Sequence, residues 1–244
     1  MKRAMACALA ATAIWGGDLP VGGLRQHIEF GYLGSTGNSE SKTLHGVYAN
    51  EYRWTPLLET TFRSDAYYGE KEGTRTDERY RGHLLGTRYF SESRRWYAYA
   101  EVGALRNVFE GYEQQYNGGV GMGYVFKETD RHLFKARGGY QYRRSNLTDG
   151  GEEDLHYAKV GLNHTYRFSK RGELKSELNF LDDLSRGADY ETVLRVGLKS
   201  ALVERLSLKI GLEVKYDNMP PLDDNGEALK KTDTKTTVGI VYDF

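Results

Sequence analysis

LSLKIGLEVKYD, residues 206–217, places an apolar or aromatic side chain at every even position and a polar residue or glycine at every odd position. Successive side chains of a β-strand point to opposite sides of the sheet. The segment therefore predicts a strand with one apolar face and one polar face. Such a strand fits a membrane barrel, in which the apolar face meets lipid and the polar face lines an enclosed interior.

The same alternation recurs along the chain from about residue 25, and a polar break follows each run. In the second half, clear runs occupy 115–126, 134–143, 158–168, 174–180, 194–202 and 238–244. The first half is less regular, and we expect its strands near 26–34, 43–54, 58–68, 78–90 and 96–109. Together these segments predict about twelve strands, with ten or fourteen as the alternatives.

The polar breaks alternate in length along the chain. The long breaks are 35–42, 69–77, 110–113, 145–154, 182–189 and 218–232. The short breaks are 55–57, 91–95, 127–132, 169–172 and 203–205. Outer-membrane barrels have long loops outside the cell and short turns in the periplasm. We therefore predict an all-β fold, an antiparallel up-and-down transmembrane β-barrel of outer-membrane type.

Aromatic residues cluster at the ends of the predicted strands. Those beside the short breaks are Trp54, Phe90, Trp96, Phe126, Phe134, Phe168 and Phe244. Those beside the long breaks are Tyr68, Tyr80, Tyr142, Tyr157, Phe180, Tyr190 and Tyr216. Aromatic rings favour the interface between lipid and water, so the pattern predicts two girdles around the barrel.

Length and composition agree with this fold. The chain has 244 residues, which suits one all-β domain. Lys+Arg and Asp+Glu are both 34, so the charge gives no indication of nucleic-acid binding. The mean hydropathy is −0.65, and the sequence has no apolar run of the roughly 18 residues that a transmembrane helix needs. A barrel tolerates that value because its polar inner residues dilute the average.

The N-terminus resembles a secretory signal. Lys2 and Arg3 precede the short apolar segment 4–11, and Ala11-Thr12-Ala13 matches a cleavage site. The only cysteine, Cys7, lies in this segment. We expect a signal peptide at 1–13, a linker at 14–24 and the barrel at 25–244.

The last strand ends in an aromatic residue. Val238, Ile240, Tyr242 and Phe244 share one face, with Phe244 at the C-terminus. This arrangement resembles the signature that the barrel-assembly machinery recognises in outer-membrane proteins. The expected partners are that machinery, outer-membrane lipid and lipopolysaccharide, and we expect no nucleic acid, cofactor or metal.

Three stretches carry a family resemblance. They are GYLGSTGNSESKTLHGVYANEYRW (31–54), RYFSESRRWYAYAEVGALRNVFEGYEQQYNGGVGMGYVF (88–126) and VKYDNMPPLDDNGEALKKTDTKTTVGIVYDF (214–244). They resemble the salt-induced outer-membrane protein family, also called YdiY-like, domain of unknown function family 481. The resemblance implies an outer-membrane barrel expressed under osmotic or salt stress, and it supplies no catalytic residues.

The predicted inner face is highly charged, and basic residues exceed acidic ones from the seventh strand onward. Its main members are Arg137, Lys159, Lys175, Arg195, Lys199, Lys209, Glu177 and Glu213. Two functions fit these charges. One is a small passive channel that prefers anions because its wall is basic. The other is a closed structural or surface-interaction barrel, whose lumen is plugged by ion pairs.

Glycines are frequent at the middle of the inner face. They are Gly121, Gly139, Gly161, Gly197, Gly211 and Gly239. A glycine there leaves space, lets a neighbouring Tyr or Arg lie across the wall, or sets curvature. We expect a lumen that is wider beside strands six to twelve than beside strands two to five.

An enzyme is the third and least favoured function. Outer-membrane hydrolases need a serine, a histidine and a carboxylate, or carboxylates and a histidine at the rim. His83 and Asp65 fall on neighbouring predicted strands and both face inward, whereas His164 faces lipid. No serine is suitably placed, so we expect no catalytic site.

Overall fold

The computed structural model describes residues 19–35, 41–187, 189–220 and 228–244. Within these ranges, twelve antiparallel strands form one closed barrel, which confirms the predicted fold and strand number. Residues 1–13, assigned to the signal peptide, and 14–18 of the linker lie outside the described residues. In the described part of the chain, no helix has the length and apolarity needed to cross a membrane.

Each strand pairs with its neighbours in sequence, and β1 closes the barrel against β12. The closing register runs from His27 opposite Asp243 to Phe30 opposite Ile240. Closure leaves the sheet without an exposed edge, as a lipid environment requires. The strands are β1 (Leu24–Ser35), β2 (Ser41–Thr55), β3 (Leu58–Lys71), β4 (Thr74–Tyr89), β5 (Trp96–Asn107), β6 (Tyr112–Glu128), β7 (His132–Leu147), β8 (Glu152–Ser169), β9 (Gly172–Asp183), β10 (Tyr190–Val203), β11 (Leu206–Asp217) and β12 (Thr232–Asp243).

The two ends of the barrel differ. The turn end carries the connections 56–57, 90–95, 129–131, 170–171 and 204–205. The loop end carries the other connections, including a 3-10 helix, Val108–Glu110, between β5 and β6. Residues 36–40 of the predicted break 35–42 and residues 221–227 of the predicted break 218–232 lie outside the described residues.

Two predicted loops at the loop end are shorter than expected. The segment 69–77 was predicted as a long loop, but β3 continues to Lys71 and β4 begins at Thr74. Glu72 and Gly73 form the turn between them with φ of 51° and 77°. The segment 145–154 is likewise mostly strand. Backbone pairing continues here past the apolar zone, where both faces are polar, so the sequence lacks the alternation that marks a strand.

The outer surface is apolar and carries a girdle of aromatic rings at the turn end. Leu208, Ile210 and Leu212 of β11 are exposed on this surface, as are most of the aromatic residues predicted beside the short breaks. Ring pairs such as Trp96–Tyr124 and Phe126–Phe134, at 4.8 and 5.5 Å, link neighbouring strands. Tyr157 was predicted to belong to the loop-end girdle, and this is wrong. It lies buried in the interior because it is on the odd, inward face of β8.

Candidate functional site

Ion pairs cross the interior of the barrel. Arg79 on β4 bonds Glu213 on β11 at 2.6 Å, although β12, β1, β2 and β3 lie between them around the wall. Lys235 on β12 lies 3.3 Å from Asp77 on β4. Side chains of such distant strands meet only across the lumen. The polar face of the sheet is therefore the inner face.

At the loop end these contacts join β4, β11, β12 and the 3-10 helix across the lumen, in a group that we call the loop-end bridge. Its residues are Asp77, Arg79, Glu110, Glu213, Lys215 and Lys235. Glu110 leaves the 3-10 helix and enters the lumen, where its carboxylate lies 2.9 Å from Lys235 Nζ and 3.4 Å from Lys215 Nζ. Burial by itself raises the pKa of the Glu110 carboxyl, but Lys215 and Lys235 outweigh it and lower that pKa to about 2. Glu110 is thus ionised throughout the physiological range.

A second group of side chains closes the loop end beside β7 to β10. Arg143 and Glu191 form a buried salt bridge, and the Arg143 guanidinium lies 4.5 Å from the centre of the Tyr157 ring. Leu155, Tyr157 and Leu181 pack together beside this pair. Because all of these side chains are buried, this part of the lumen is filled.

Glu101 organises the middle of the lumen. Its carboxylate bonds Lys159, and it lies 3.5 Å from Arg137 and 3.3 Å from His83. Two of the predicted lumen cations therefore share one acid from the first half of the chain. Lys209 likewise bonds Glu29 at 2.6 Å. The excess of basic residues in the second half is offset by carboxylates on the opposite wall.

Neighbouring groups occupy the space above the inward glycines, and Tyr99 covers two of them. A side-chain carbon on Gly121 would lie 2.7 Å from the Tyr99 ring, and one on Gly139 would lie 2.6 Å from the Tyr99 hydroxyl. Arg137 lies over Gly161 and Thr237 over Gly211, at 3.0 and 2.6 Å from such a carbon. The corresponding position on Gly197 is 3.4 Å from Lys209 Cε, and that on Gly239 is 2.9 Å from the Phe30 carbonyl oxygen.

This filling corrects the expected shape of the lumen. The prediction of a wider interior along all of β6 to β12 is wrong for β6 to β8, because Tyr99 and Arg137 lie across their glycines. At the turn end, Tyr89, Tyr97, Tyr99 and Val125 form a buried cluster with Leu57, Leu85 and Leu133 packed against it. The β4–β7 side of the turn end is therefore solid.

The opposite side of the turn end is open to solvent. We call it the basic vestibule, which extends from Arg195 near the middle of β10 to the turn end and also includes His27, Arg63, Lys175, Lys199 and Lys209. Although Lys175 points into the barrel, 64% of its side chain is exposed, and the values for Arg63 and Arg195 are 38% and 33%. Inward side chains reach such exposures only beside water. The lumen is thus a water-filled chamber at this end.

Each Arg and Lys of the vestibule has an acidic group beside it. Lys199 bonds Asp243 at 2.7 Å, and Arg195 bonds Glu213 at 2.5 Å. Glu177 lies 3.6 Å from Arg195. Lys175 lies 3.2 Å from Glu173, Arg63 lies 3.7 Å from Asp65, and Lys209 bonds Glu29 at 2.6 Å. In these three pairs the cation is the more exposed partner, at 64% against 11%, 38% against 3% and 24% against 1%, so the water of the chamber meets more positive than negative charge there.

The sequence-based interpretation did not identify two of the central residues. Glu110 falls in a polar break, where alternation gives no indication of direction, and only its position beside Gly111 in a short connection could have drawn attention to it. Tyr99 lies in a predicted strand, but its contact with Gly121 and Gly139 depends on how three strands pack. The histidines considered for catalysis are separated: His83 faces Glu101, while His164 pairs with His132 at 3.2 Å on the outer surface. In the described residues, no three potential metal ligands cluster.

The comparisons with known proteins agree with this architecture. The barrel is similar to an outer membrane channel, COG4313, from Pseudomonas putida F1, with a TM-score of 0.55 and 11% identity over 94% of this chain and 98% of that chain. It is also similar to the NanC porin, with a TM-score of 0.54 and 11% identity over 89% of this chain and 98% of the porin. At these identities the similarity concerns the fold alone. No curated protein matches the chain.

The family is identified from the sequence itself. A family model described as "Protein of unknown function, DUF481" matches residues 28–244. This range includes the loop-end bridge, Glu101 and almost all of the basic vestibule. Because the match covers most of the chain, this protein belongs to the DUF481 family.

Proposed function

We propose that the protein is an outer-membrane channel for small anions. The observation that carries this proposal is the basic vestibule, in which cations on β3, β9, β10 and β11 face one water-filled chamber. A pore wall with exposed cations concentrates anions and repels cations. The similarity of the barrel to a channel and a porin supports the proposal at the level of the fold.

The proposed orientation places the turn end in the periplasm. Because the number of strands is even, the start of β1 and the end of β12 both lie at the turn end. In outer-membrane barrels the short turns face the periplasm. The vestibule would then receive solutes from the periplasm, with the loop-end bridge facing the cell exterior. The resemblance to the salt-induced family supports a role of this channel under osmotic or salt stress.

The C-terminal strand supports the proposed route of assembly. Ile240, Tyr242 and Phe244 are exposed on the outer surface, and the Tyr242 and Phe244 rings lie 4.8 Å apart. Val238 shares their face on β12. We propose that this face is presented to the barrel-assembly machinery, since it is available from the outside of the strand.

A closed structural barrel is the second candidate function. The loop-end bridge favours it, because ion pairs cross the lumen and Arg143, Glu191 and Tyr157 fill the remaining space. In that case the exterior loops would bind lipopolysaccharide or a protein partner. A hydrolase is less favoured, because His83 lies in the lumen beside Glu101 while His164 lies on the outer surface, so the two histidines do not share one site.

Planar-bilayer recording with purified, folded protein tests the first candidate. We expect discrete steps whose reversal potential in a salt gradient shows anion preference. Lys175→Glu should shift that potential towards cations, because it reverses an exposed charge in the vestibule. Arg144→Glu, on the outer surface, is the matched control and should leave it unchanged. Complete electrical silence, or a potential that ignores Lys175→Glu, would favour the closed barrel.

A further inference from the structure

The connection between β5 and β6 enters the lumen of the barrel. We propose that its 3-10 helix, Val108–Glu110, is a movable latch that closes the loop end by docking Glu110 on β11 and β12 and opens it by releasing them. The inference rests on the proposed channel, since it names the element that regulates passage.

Among the described residues, the Glu110 carboxylate bonds side chains of the far wall. Its two carboxylate oxygens face Lys235 at 2.9 Å and Lys215 at 3.4 Å, and both lysines lie on strands remote from β5 and β6 around the barrel. The neighbouring Phe109 is exposed, and no residue of the 3-10 helix is buried. The helix is therefore attached to the opposite wall mainly through one charged side chain.

The connection has the features of a hinge at both ends. The pairing of β5 with β6 shifts register between Leu105 and Asn107, and that of β6 with β7 shifts between Tyr112 and Gln114. Gly111 has a φ of 84°, which an L side chain rarely adopts. The latch is therefore bounded by irregular pairing and a glycine, and its movement has to bend or break the bond that the Thr148 N–H donates to the Gly111 carbonyl oxygen at 3.1 Å.

The docked position leaves a buried polar group without partners. Asn107, at the start of the latch, is 0% exposed, and neither its amide nitrogen nor its amide oxygen has a hydrogen-bond partner. Such groups are costly to bury. Movement of the latch would expose this amide to water, so the closed position is opposed by a group beside its own hinge.

The lysines keep other partners when Glu110 leaves. Lys235 lies 3.3 Å from Asp77, and Lys215 lies 3.8 Å from Asp217 and 5.2 Å from the centre of the Tyr112 ring. Release of Glu110 therefore leaves neither lysine without a partner. Closed and open positions both satisfy the charges, which is what a two-state element requires.

Distance measurement and conductance test the latch separately. Spin labels at Phe109→Cys and Thr232→Cys, in a Cys7→Ser chain reconstituted in lipid, report the separation of the latch from the start of β12. With Glu110→Gln we expect a new population at longer distance and a severalfold higher open probability in planar bilayers. Lys235→Gln should loosen the same contact from the other side and provides a second variant if Glu110→Gln folds poorly. Glu113→Gln is the matched control, because Glu113 follows the latch in the chain but pairs with the exposed Arg106 at 3.8 Å.

The outcomes separate the latch from the channel. A longer distance in the Glu110→Gln protein without conductance in any variant would support the latch and overturn the proposed channel. Conductance with an unchanged distance in both latch variants would retain the channel and overturn the latch. Equal changes in Glu113→Gln would also overturn it, because they would show that any loss of charge in this segment has the same effect.

Discussion

Replacing Glu101 with glutamine tests whether the lumen is held together by carboxylates shared between opposite walls. Glu101 is only 1% exposed, and its partners Arg137 and Lys159 are each 10% exposed. Removing one member of a buried ion pair costs about 3–5 kcal/mol, since the remaining charge is left without compensation. The folded-to-unfolded ratio should therefore fall roughly 100- to 4,000-fold, at tenfold for each 1.4 kcal/mol.

Urea unfolding in lipid vesicles measures this change. Trp54 and Trp96, both exposed on the outer surface, are suitable fluorescence reporters because unfolding removes them from lipid. Glu152→Gln is the matched control: its partner Arg144 lies 2.8 Å away, but both are exposed, so the expected loss is about 0–1 kcal/mol. Adding Lys159→Met to Glu101→Gln should restore part of the stability by removing a stranded cation. If Glu101→Gln unfolds within about 1 kcal/mol of Glu152→Gln, our account of the lumen charges is refuted.

Three further predictions follow from other parts of the barrel. Gly121→Val should destabilise the fold by about 1–3 kcal/mol in the same assay, because the new side chain meets the Tyr99 ring. Gly118→Val should be tolerated, because no atom lies within 4 Å of the position of its side-chain carbon. Equal stability of the two variants would contradict the packing. Because the Glu110 pKa is lowered to about 2, its ion pairs stabilise the protein fully above the ordinary carboxyl pKa of 4.5 and lose their effect as the pH falls through about 2. The difference in urea midpoint between wild type and Glu110→Gln should thus be constant from pH 7 to pH 5 and become smaller below pH 5. A difference that is lost by pH 6 would speak against this. Phe244→Ser should lower the yield of assembled, heat-modifiable barrel severalfold on electrophoresis, whereas Phe168→Ser, in the same girdle, should leave the yield unchanged. Equal yields of the two variants would contradict a terminal assembly signal.

Alternation in the sequence was sufficient for most of the fold. LSLKIGLEVKYD at 206–217 predicts β11 to the residue. The runs 174–180 and 194–202 lie within β9 and β10, whereas β12 begins at Thr232, before the predicted run 238–244. The prediction was less accurate at the loop end, where 69–77 and 145–154 are mostly strand. Alternation disappears there because water, and no longer lipid, covers the outer face, while the backbone pairing that defines a strand continues.

The sequence by itself determined which side chains face inward, because the two-residue period of a strand assigns every position to one side once lipid covers the other. It placed Glu213, Lys159 and Gly121 on the inner face without any knowledge of the tertiary structure. Only the folded barrel decided which of them meet. That Glu110 reaches Lys235, that Glu213 bonds Arg79, and that Tyr99 covers Gly121 depend on the number of strands and their stagger around the wall, which set the distances across the lumen. Local sequence carries no record of those distances, so the division of the lumen into a closed loop end and an open basic vestibule is a property of the tertiary structure.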